Sequence, residues 1–528
     1  MSVAIPEITD QFHSLNDVGW YASAYMITGA SSNLVFGKIY KYYSIKSVFL
    51  GSVILFEAGS ALCGAAPNSM SLIIGRAIAG LGSSGIFTGG MMIIVPLIPL
   101  QKRPIYYSMF GAVFGISSVL GPLLGGIFTD DLSWRWCFYI NLPIGACTML
   151  AIILFLHISP PASESISLTR HVARLDPLGT FFFIPSIVSL VLALQWGGSE
   201  YSWSSARIVG LLVTFAVLFV AFWLVQILTP GTATVPMRII LQRSILGGVI
   251  FLFLLTGSLF VVVYFLPIWF QAVKGDSAIH SGISVFPLVL SLVVFSIVGG
   301  GFTQRVGYYM PPMLISPILT TVGAALLYTL TPTSNHSHWI GYQIVYGFGT
   351  GMAMQTSTLA AQTVLERSDI STGMALNFFG QNLGGAIFVP VAQNIFENYL
   401  QMKLKGIAGI DIERIADSGV LDLKRVVPTA QLPAVTNAFN YSITRALLVA
   451  LGLSAGTLFA ALIMEWKDIR EGAGRQAMQK DAEKEAGGEK PERKWSRDPS
   501  SEPEGQQRDN THGGEEEASH EWQHYMQL

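Results

Sequence analysis

The stretch FGISSVLGPLLGG, residues 114–126, decides how this sequence folds. It places four glycines and a proline inside a long apolar run, where a helix ordinarily has few of either. On a helix, an arc of about 100° holds the neighbouring small residues: Gly111, Gly115, Ser118, Pro122, Gly125 and Gly126. Such a stripe lets two membrane helices approach closely, and Gly121 completes the motif.

Two readings of this stripe remain open on spacing alone. The first is static, tight packing of one helix against another. The second is a helix bent at Pro122, at an interface that rocks while staying sealed, as alternating access requires. We therefore expect these seven residues to form a hinge at a helix seam.

Composition places the chain in a bilayer. Of its 528 residues, 51% are hydrophobic and only 12% are charged, which is far from the composition of a soluble domain. The net charge of −2 gives no reason to expect a nucleic-acid partner. The three cysteines lie in apolar stretches and predict neither a disulfide framework nor a metal site. No cofactor is implied.

Stretches of about 20 mostly apolar residues predict membrane-spanning helices. Thirteen windows qualify: 18–37, 48–66, 70–95, 105–128, 137–157, 177–196, 207–229, 245–270, 281–302, 311–330, 339–361, 372–396 and 441–465. The fold class is therefore an all-α polytopic membrane protein.

Lysine and arginine recur in every second connection, and this sets the orientation because basic residues are retained in the cytoplasm. Lys38 and Lys41 lie in the first such connection and Arg305 and Arg367 in later ones, so the C-terminal tail is predicted to be cytoplasmic. Two Asn-x-Ser sequons, at Asn335 and Asn440, fall in the predicted outer connections and are candidate glycosylation sites.

The spans divide the chain into five parts. Residues 1–17 are expected to be the outer remnant of a first span whose body is missing, and 18–158 form an N-terminal helix bundle. Residues 159–244 are a linker with two additional spans, and 245–465 form a C-terminal bundle with an outer loop at 398–440. Residues 466–528 have the charged, Gly/Pro/Ser-rich composition of a disordered tail.

Six segments together resemble one family. GPLLGG at 121–126 is similar to the antiporter motif of the major facilitator superfamily, and GRAIAGLG at 75–82 to the fourth-span motif of its proton-coupled members. WRWCFYINLPIG at 134–145 and LDPLG at 175–179 resemble the sixth and seventh spans of the 14-spanner drug:proton antiporters. WYASAYMITGASSNLVFGKIY at 20–40 and WIGYQIVYGFGTGMAMQ at 339–355 resemble the fungal branch of that family, which exports drugs, toxins and secondary metabolites. The resemblance implies a major facilitator fold: two six-helix bundles plus two extra central helices, here with a truncated first helix.

One departure from the family pattern concerns the loop after the first predicted window. GKIYKYYSIK keeps Gly37 and its basic residues, but Lys41 stands where many members have an aspartate. We therefore expect gating through this loop to differ.

Buried charges are costly in hydrocarbon, so charges within the spans are candidate proton-coupling residues. Glu57 and Arg76 lie on consecutive spans at a similar depth of about 12 to 13 Å, which predicts an ion pair. The resemblance assigns Arg76 to proton coupling. Asp17, at the outer mouth, is a further candidate, with helix capping as its structural alternative.

Polar residues form single stripes on three predicted spans, and such stripes face protein or water rather than lipid. Interhelical hydrogen bonding and the lining of a substrate cavity both explain them. The candidate cavity residues are Tyr21, Tyr25, Thr28, Gln355, Thr358, Asn377 and Gln381.

The sequence therefore predicts a monomeric, proton-coupled exporter of a small organic compound, in the plasma membrane or alternatively a vacuolar membrane. A proton-coupled importer of siderophores or basic amino acids and a non-transporting membrane sensor are the alternatives. An enzyme is disfavoured, because GLGSSG at 80–85 follows a helical span rather than a strand and HEWQH at 520–524 lies in the charged tail.

Overall fold

A computed structural model describes residues 4–12, 17–158, 173–198, 200–407, 427–428, 430–474 and 478. Residues 408–426 and 429 of the predicted outer loop and most of the predicted disordered tail lie outside these residues. The expectations about those two segments therefore stay predictions.

The N-terminal part of the chain forms a short helix and five long helical segments. These are α1 (Ile5–Phe12), α2 (Val18–Tyr42), α3 (Ile45–Gly64), α4 (Ser69–Leu97), α5 (Arg103–Ile127), and α6 (Trp136–Tyr139) followed directly by α7 (Asn141–Phe155). Asn68 caps α4, because its side chain accepts a hydrogen bond from the Ser71 backbone N–H. A π-helical turn, Phe128–Leu132, ends α5.

Two helices in the middle of the chain, α8 (Pro177–Trp196) and α9 (Ala206–Leu228), pack against each other. Asp176 precedes α8 in a left-handed conformation with φ 51°, and its carboxylate accepts hydrogen bonds from Gly179 N, Gln226 Nε2 and both the N–H and hydroxyl of Thr234. Burial raises the pKa of Asp176, but these hydrogen bonds outweigh it and hold the pKa below its usual value. This buried carboxylate therefore ties the helix pair together.

The C-terminal part begins with the one-turn helix α10 (Met237–Ile240) and continues with the following helices: α11 (Arg243–Trp269), α12 (Ala278–Ser284), α13 (Phe286–Val306), α14 (Met310–Tyr328), α15 (His336–Ala353), α16 (Thr356–Val364), α17 (Ile370–Leu404) and α18 (Leu432–Ile463). The window predicted at 339–361 is thus interrupted at Met354 and Gln355, between α15 and α16.

Nine helical segments in the described part of the chain are long and apolar enough to cross a bilayer: Ile45–Gly64, Ser69–Leu97, Trp136–Phe155, Pro177–Trp196, Ala206–Leu228, Arg243–Lys274, His280–Val306, Met310–Tyr328 and Leu432–Ile463. The other four predicted windows fold as α2, α5, α15 with α16, and α17. These four segments are richer in Gly, Ser, Thr and Asn, which a helix tolerates where it faces protein rather than lipid.

The long helices pack as two groups. Helices α2, α3, α4 and α7 contact one another in one group, and α11 and α13–α18 in the other. Two helix pairs join the groups, α5 with α13 and α2 with α17, while α8 lies against α2 and α17. The core of the second group is large and aromatic, with Phe265, Trp269 and Tyr346 fully buried.

Candidate functional site

The first seam between the two groups runs along α5 and α13. A methyl group added at Gly111 would lie 2.6 Å from Ser296 Oγ, and one at Gly115 would overlap the side chain of Val293. On α13, Gly300 makes the reciprocal close approach to Ser108 of α5. Only glycine fits at these contacts, so the small residues do bring two backbones together here.

The close packing is not continued at two glycines nearer the predicted outer end of α5. Gly126 lies about 20° from Gly115 around the helix and about 16 Å further along it, yet a methyl group there would meet open space. Gly121, on a different face, also meets nothing. Gly125 is buried and its carbonyl accepts from Thr129 Oγ1. The side chains of Ser118 and Pro122 lie outside the described part of the structure.

The second seam joins α2 and α17 at their predicted cytoplasmic ends. A methyl group on Gly37 would overlap Ala375, and the ring of Phe87 on α4 meets that of Phe378 edge-on at 4.9 Å. Both seams are thus in close contact at the end where the sequence predicts the cytoplasm.

A buried carboxylate lies beside the second seam. Asp369, just before α17, is 1% exposed and pairs with Lys41 of α2 at 2.9 Å and Arg238 at 2.6 Å. Burial raises the pKa of Asp369, but hydrogen bonds and charge from Arg238 and Lys41 outweigh it and hold the pKa below its usual value. Lys41, which stands where many members of the family have an aspartate, therefore provides the cation of an ion pair, and the opposite helix group provides the anion.

A second polar contact, between α5 and α16, joins the two helix groups at the same end. Arg103, at the start of α5, donates from Nη1 to Gln362 Oε1 at 2.8 Å. Gln362 Nε2 in turn donates to the hydroxyl of Tyr107 at 2.6 Å. All three side chains are buried, so the two helix groups are joined by satisfied polar groups as well as by close packing.

Arg76, the predicted proton-coupling residue, points from α4 towards α2. Its Nε donates to the backbone carbonyl of Tyr21 at 2.8 Å, and its guanidinium lies 4.2 Å from the centre of the Tyr25 ring. The Tyr21 hydroxyl donates to Ser69 Oγ at 3.0 Å, and Ser69 donates to Asp17 Oδ2. A chain of hydroxyl groups thus connects Asp17 to the residue that holds Arg76.

The predicted ion pair between Glu57 and Arg76 is wrong for this structure. Glu57 points from α3 to the backbone of Gly145 on α7, and its Oε2 has no hydrogen-bond partner. Equal depth in the membrane did not predict the contact, because depth does not fix which way a side chain points. Helix α3 meets α4 along the faces that carry Gly59 and Ala79, whereas Glu57 and Arg76 point to different neighbours. Asp17 occupies the N-cap position of α2, but its side chain makes no capping hydrogen bond.

The candidate cavity residues fall into two sets. Tyr21 is fully buried and Tyr25 lies under Arg76, while Thr28 donates its hydroxyl to its own helix at Ala24 O, 2.9 Å away. The structure therefore engages all three in packing and hydrogen bonding within the first helix group.

The second set lies in the other helix group. Gln355 lines a small cavity of about 20 Å³ between α5, α13 and the α15–α16 break, which is large enough for a water molecule but far too small for an organic compound. Asn377 donates to Ser357 O at 2.9 Å, but its Oδ1 and the hydroxyl of Thr358 are buried without a partner. Gln381 is half-buried on α17. Buried polar atoms ordinarily have a hydrogen-bond partner, so we expect water or a ligand beside these atoms.

The two sequons differ in accessibility. Asn335 is exposed directly before α15, so its glycosylation stays a prediction. Asn440 accepts from Trp269 Nε1 at 2.7 Å and donates from Nδ2 to Leu330 O at 3.2 Å. The nitrogen that would carry the glycan is already used in helix packing, so the structure argues against glycosylation at Asn440.

The contacts of Asp369, Arg103 and Gln362 were not predicted from the sequence. One signal was available for Asp369, an acidic residue in a predicted cytoplasmic connection next to a span. Its partner was not predictable, because Lys41 is 328 positions away and only the assembled fold brings the two together.

Membrane-length helices in two groups, with glycine-lined seams and buried charge between them, define a multi-pass membrane transport protein rather than an enzyme. Comparison with known proteins agrees. The family model of the Major Facilitator Superfamily matches residues 1–389, and the chain belongs to this superfamily.

Characterised relatives extend over nearly the whole chain. The MFS-type efflux pump MFS1 of Trichophyton rubrum is 49% identical over 89% of this chain and 88% of its own. The rubrofusarin-specific efflux pump aurT of Gibberella zeae is 45% identical over 89% and 86%. The efflux pump aflT of Aspergillus parasiticus is 43% identical over 89% and 92%.

A solved structure shares the fold. The proton:xylose symporter XylE aligns with a TM-score of 0.55 over 90% of this chain and 94% of its own, at 14% sequence identity. At that identity the likeness shows the fold alone.

Proposed function

We propose that this protein exports a small organic compound, of the secondary-metabolite class, in exchange for protons by alternating access across the plasma membrane. The observation that carries the proposal is the asymmetry of the α5–α13 seam. The helices are in contact at Gly111 and Gly115, and α5 meets open space at Gly126. This is the arrangement expected of an outward-facing transporter whose cytoplasmic end is closed. The names of the relatives favour export.

In the proposed cycle, the contacts at the cytoplasmic end separate and those at the outer end form. The pairs that must break are Lys41 with Asp369 and Arg103 with Gln362. Each is a small number of polar bonds, which water replaces when the gate opens, so neither state is locked. The compound then binds from the cytoplasm and leaves from the outer side.

Proton coupling is proposed for Arg76 and Asp17 rather than for Arg76 and Glu57. Asp17 lies at the predicted outer mouth and is connected through Ser69 and Tyr21 to the segment that holds Arg76. Protonation of Asp17 from outside would weaken its bond to Ser69 and loosen that segment.

A membrane potential of 100 mV and one pH unit together supply about 3.7 kcal/mol per proton, enough for a gradient of roughly 500-fold.

Transport into inside-out membrane vesicles tests the proposal. With the vesicle interior acidified, we expect a fluorescent aromatic polyketide to accumulate inside, and we expect accumulation to stop when a protonophore collapses the gradient. Accumulation only in right-side-out vesicles with an acidic exterior would instead establish a proton-coupled importer. If the compound does not move with the gradient in vesicles of either orientation, although the protein is present, the result would favour a non-transporting membrane sensor.

A further inference from the structure

A cluster of two cations and three tyrosines lies where α14, α17 and α18 reach the predicted outer side. Arg445 Nη1 donates to the Tyr328 hydroxyl at 3.0 Å, and its guanidinium is 4.8 Å from the centre of the Tyr441 ring. Lys403 Nζ lies 4.3 Å from the same ring centre. Tyr399 meets Tyr441 edge-on at 5.8 Å.

The charge of this cluster is not balanced within the described chain. Arg445 and Lys403 share one aromatic ring, and no ion pair with a carboxylate among the described residues involves either of them. Lys403 is exposed and Arg445 is half-buried, so an anion can reach both cations. Basic residues are also disfavoured on the outer side of membrane proteins. A pair of them at this end is therefore a candidate binding site for an anion.

The surface below the cluster faces lipid. Exposed, apolar residues continue down α18 from Arg445 at helical spacing, through Leu448 to Phe459 at 72% and Leu462 at 60% exposure. The 17 residues from Arg445 to Leu462 span about 25 Å, close to the thickness of the hydrocarbon core. Trp466 is exposed just beyond the lower end, as an interfacial aromatic residue would be. Arg445 therefore lies at the level of the lipid headgroups.

We propose that Arg445 and Lys403 bind the headgroup phosphate of an anionic phospholipid in the outer leaflet, with an acyl chain along the apolar stripe of α18. A guanidinium offers two parallel N–H donors to phosphate oxygens, and an ammonium adds a point charge. The tyrosine rings cover the glycerol region while their hydroxyls stay near water. The site does not depend on the direction or coupling of transport.

Native mass spectrometry of the purified full-length protein, titrated with phosphatidylglycerol or phosphatidylcholine, tests this site. We expect phosphatidylglycerol to bind more tightly, and we expect the double variant Arg445→Gln/Lys403→Gln to bind it about tenfold more weakly. Arg445→Lys keeps the charge and should lose less. The control Arg207→Gln/Lys405→Gln removes the same charge from exposed residues at the same predicted end and should bind like the unchanged protein.

Equal loss in the control variant, or no loss in Arg445→Gln/Lys403→Gln, would overturn the proposal. Competition separates the sources of the anion. If millimolar inorganic phosphate or benzoate displaces the lipid completely, the site takes free anions and is not a lipid site. Size-exclusion profiles that match the unchanged protein show that each variant is folded.

Discussion

Asp369 takes part in two ion pairs that belong to different parts of the chain. Lys41 comes from the first helix group, and Arg238 comes from the segment after the central helix pair. Arg238 is 64% exposed, so its pair contributes little against solvent screening. Lys41 is mostly covered, at 20% side-chain exposure, so solvent screens its pair with the buried carboxylate less. A single residue thus links three parts of the chain at the predicted cytoplasmic end.

We predict that Asp369→Asn lowers the free energy of unfolding at pH 7 by about 1 to 2 kcal/mol. The folded-state pKa of Asp369 lies below its ordinary value, so the stabilisation is complete above about pH 4 and is lost as the pH falls through the folded pKa. Thermal unfolding of the detergent-solubilised protein at pH 7 and pH 3 measures this. Asp131→Asn, at an exposed position, is the control. If the stability difference between Asp369→Asn and the unchanged protein is the same at both pH values, the proposed role of the Asp369 carboxylate is contradicted.

A second prediction at this scale concerns Arg76. Its guanidinium bonds to Tyr21 O and stacks on Tyr25, and we expect Arg76→Ala to abolish proton-driven accumulation in inside-out vesicles. Arg207→Ala removes an exposed arginine and should leave transport unchanged. Gradient-dependent accumulation that persists in Arg76→Ala, with normal amounts of protein in the membrane, would remove Arg76 from the coupling step.

Among the helices, α5 shows how position along one element changes the role of a glycine. Gly115 meets Val293 of α13, whereas Gly121 meets open space. The two residues stand six positions apart in the same motif, so they form a matched pair for testing the seam.

We predict that Gly115→Leu reduces efflux at least tenfold, because its side chain would force α5 and α13 apart at a cost of about 1 to 3 kcal/mol or more. Gly121→Leu should transport normally. Drug resistance of cells that express equal amounts of each variant measures this. Val293→Ala makes room beside position 115 and should restore part of the activity of Gly115→Leu. Equal losses in both glycine variants would contradict a role confined to the seam.

The sequence predicted the elements better than their contacts. Apolar length placed thirteen helical segments, and small-residue spacing placed a close approach on α5, because both follow from local periodicity. The direction of Glu57 was not predictable from depth alone, since rotation of α3 depends on its packing against α4 and α7. The break at Gln355 was also missed, because Met354 and Gln355 include no glycine or proline to mark a helix end.

At the scale of the whole molecule, the two helix groups are joined most closely at one end. Buried charge, buried amides and glycine contacts join them at the predicted cytoplasmic end, while a methyl group at Gly126, in the outer part of α5, would meet open space. Alternating access would require a second state with the opposite pattern, in which both groups keep their internal packing and exchange only their mutual contacts.

Distances between spin labels at both ends, in one protein, test that requirement most directly. With Cys63, Cys137 and Cys147 replaced, one pair of labels at Lys102 and Arg305 reports the cytoplasmic end, and a pair at Asp131 and His280 reports the outer end. We predict that, on addition of the transported compound at low proton gradient, the first distance grows while the second shrinks. Distances that stay fixed, or that change in the same direction at both ends, would contradict alternating access.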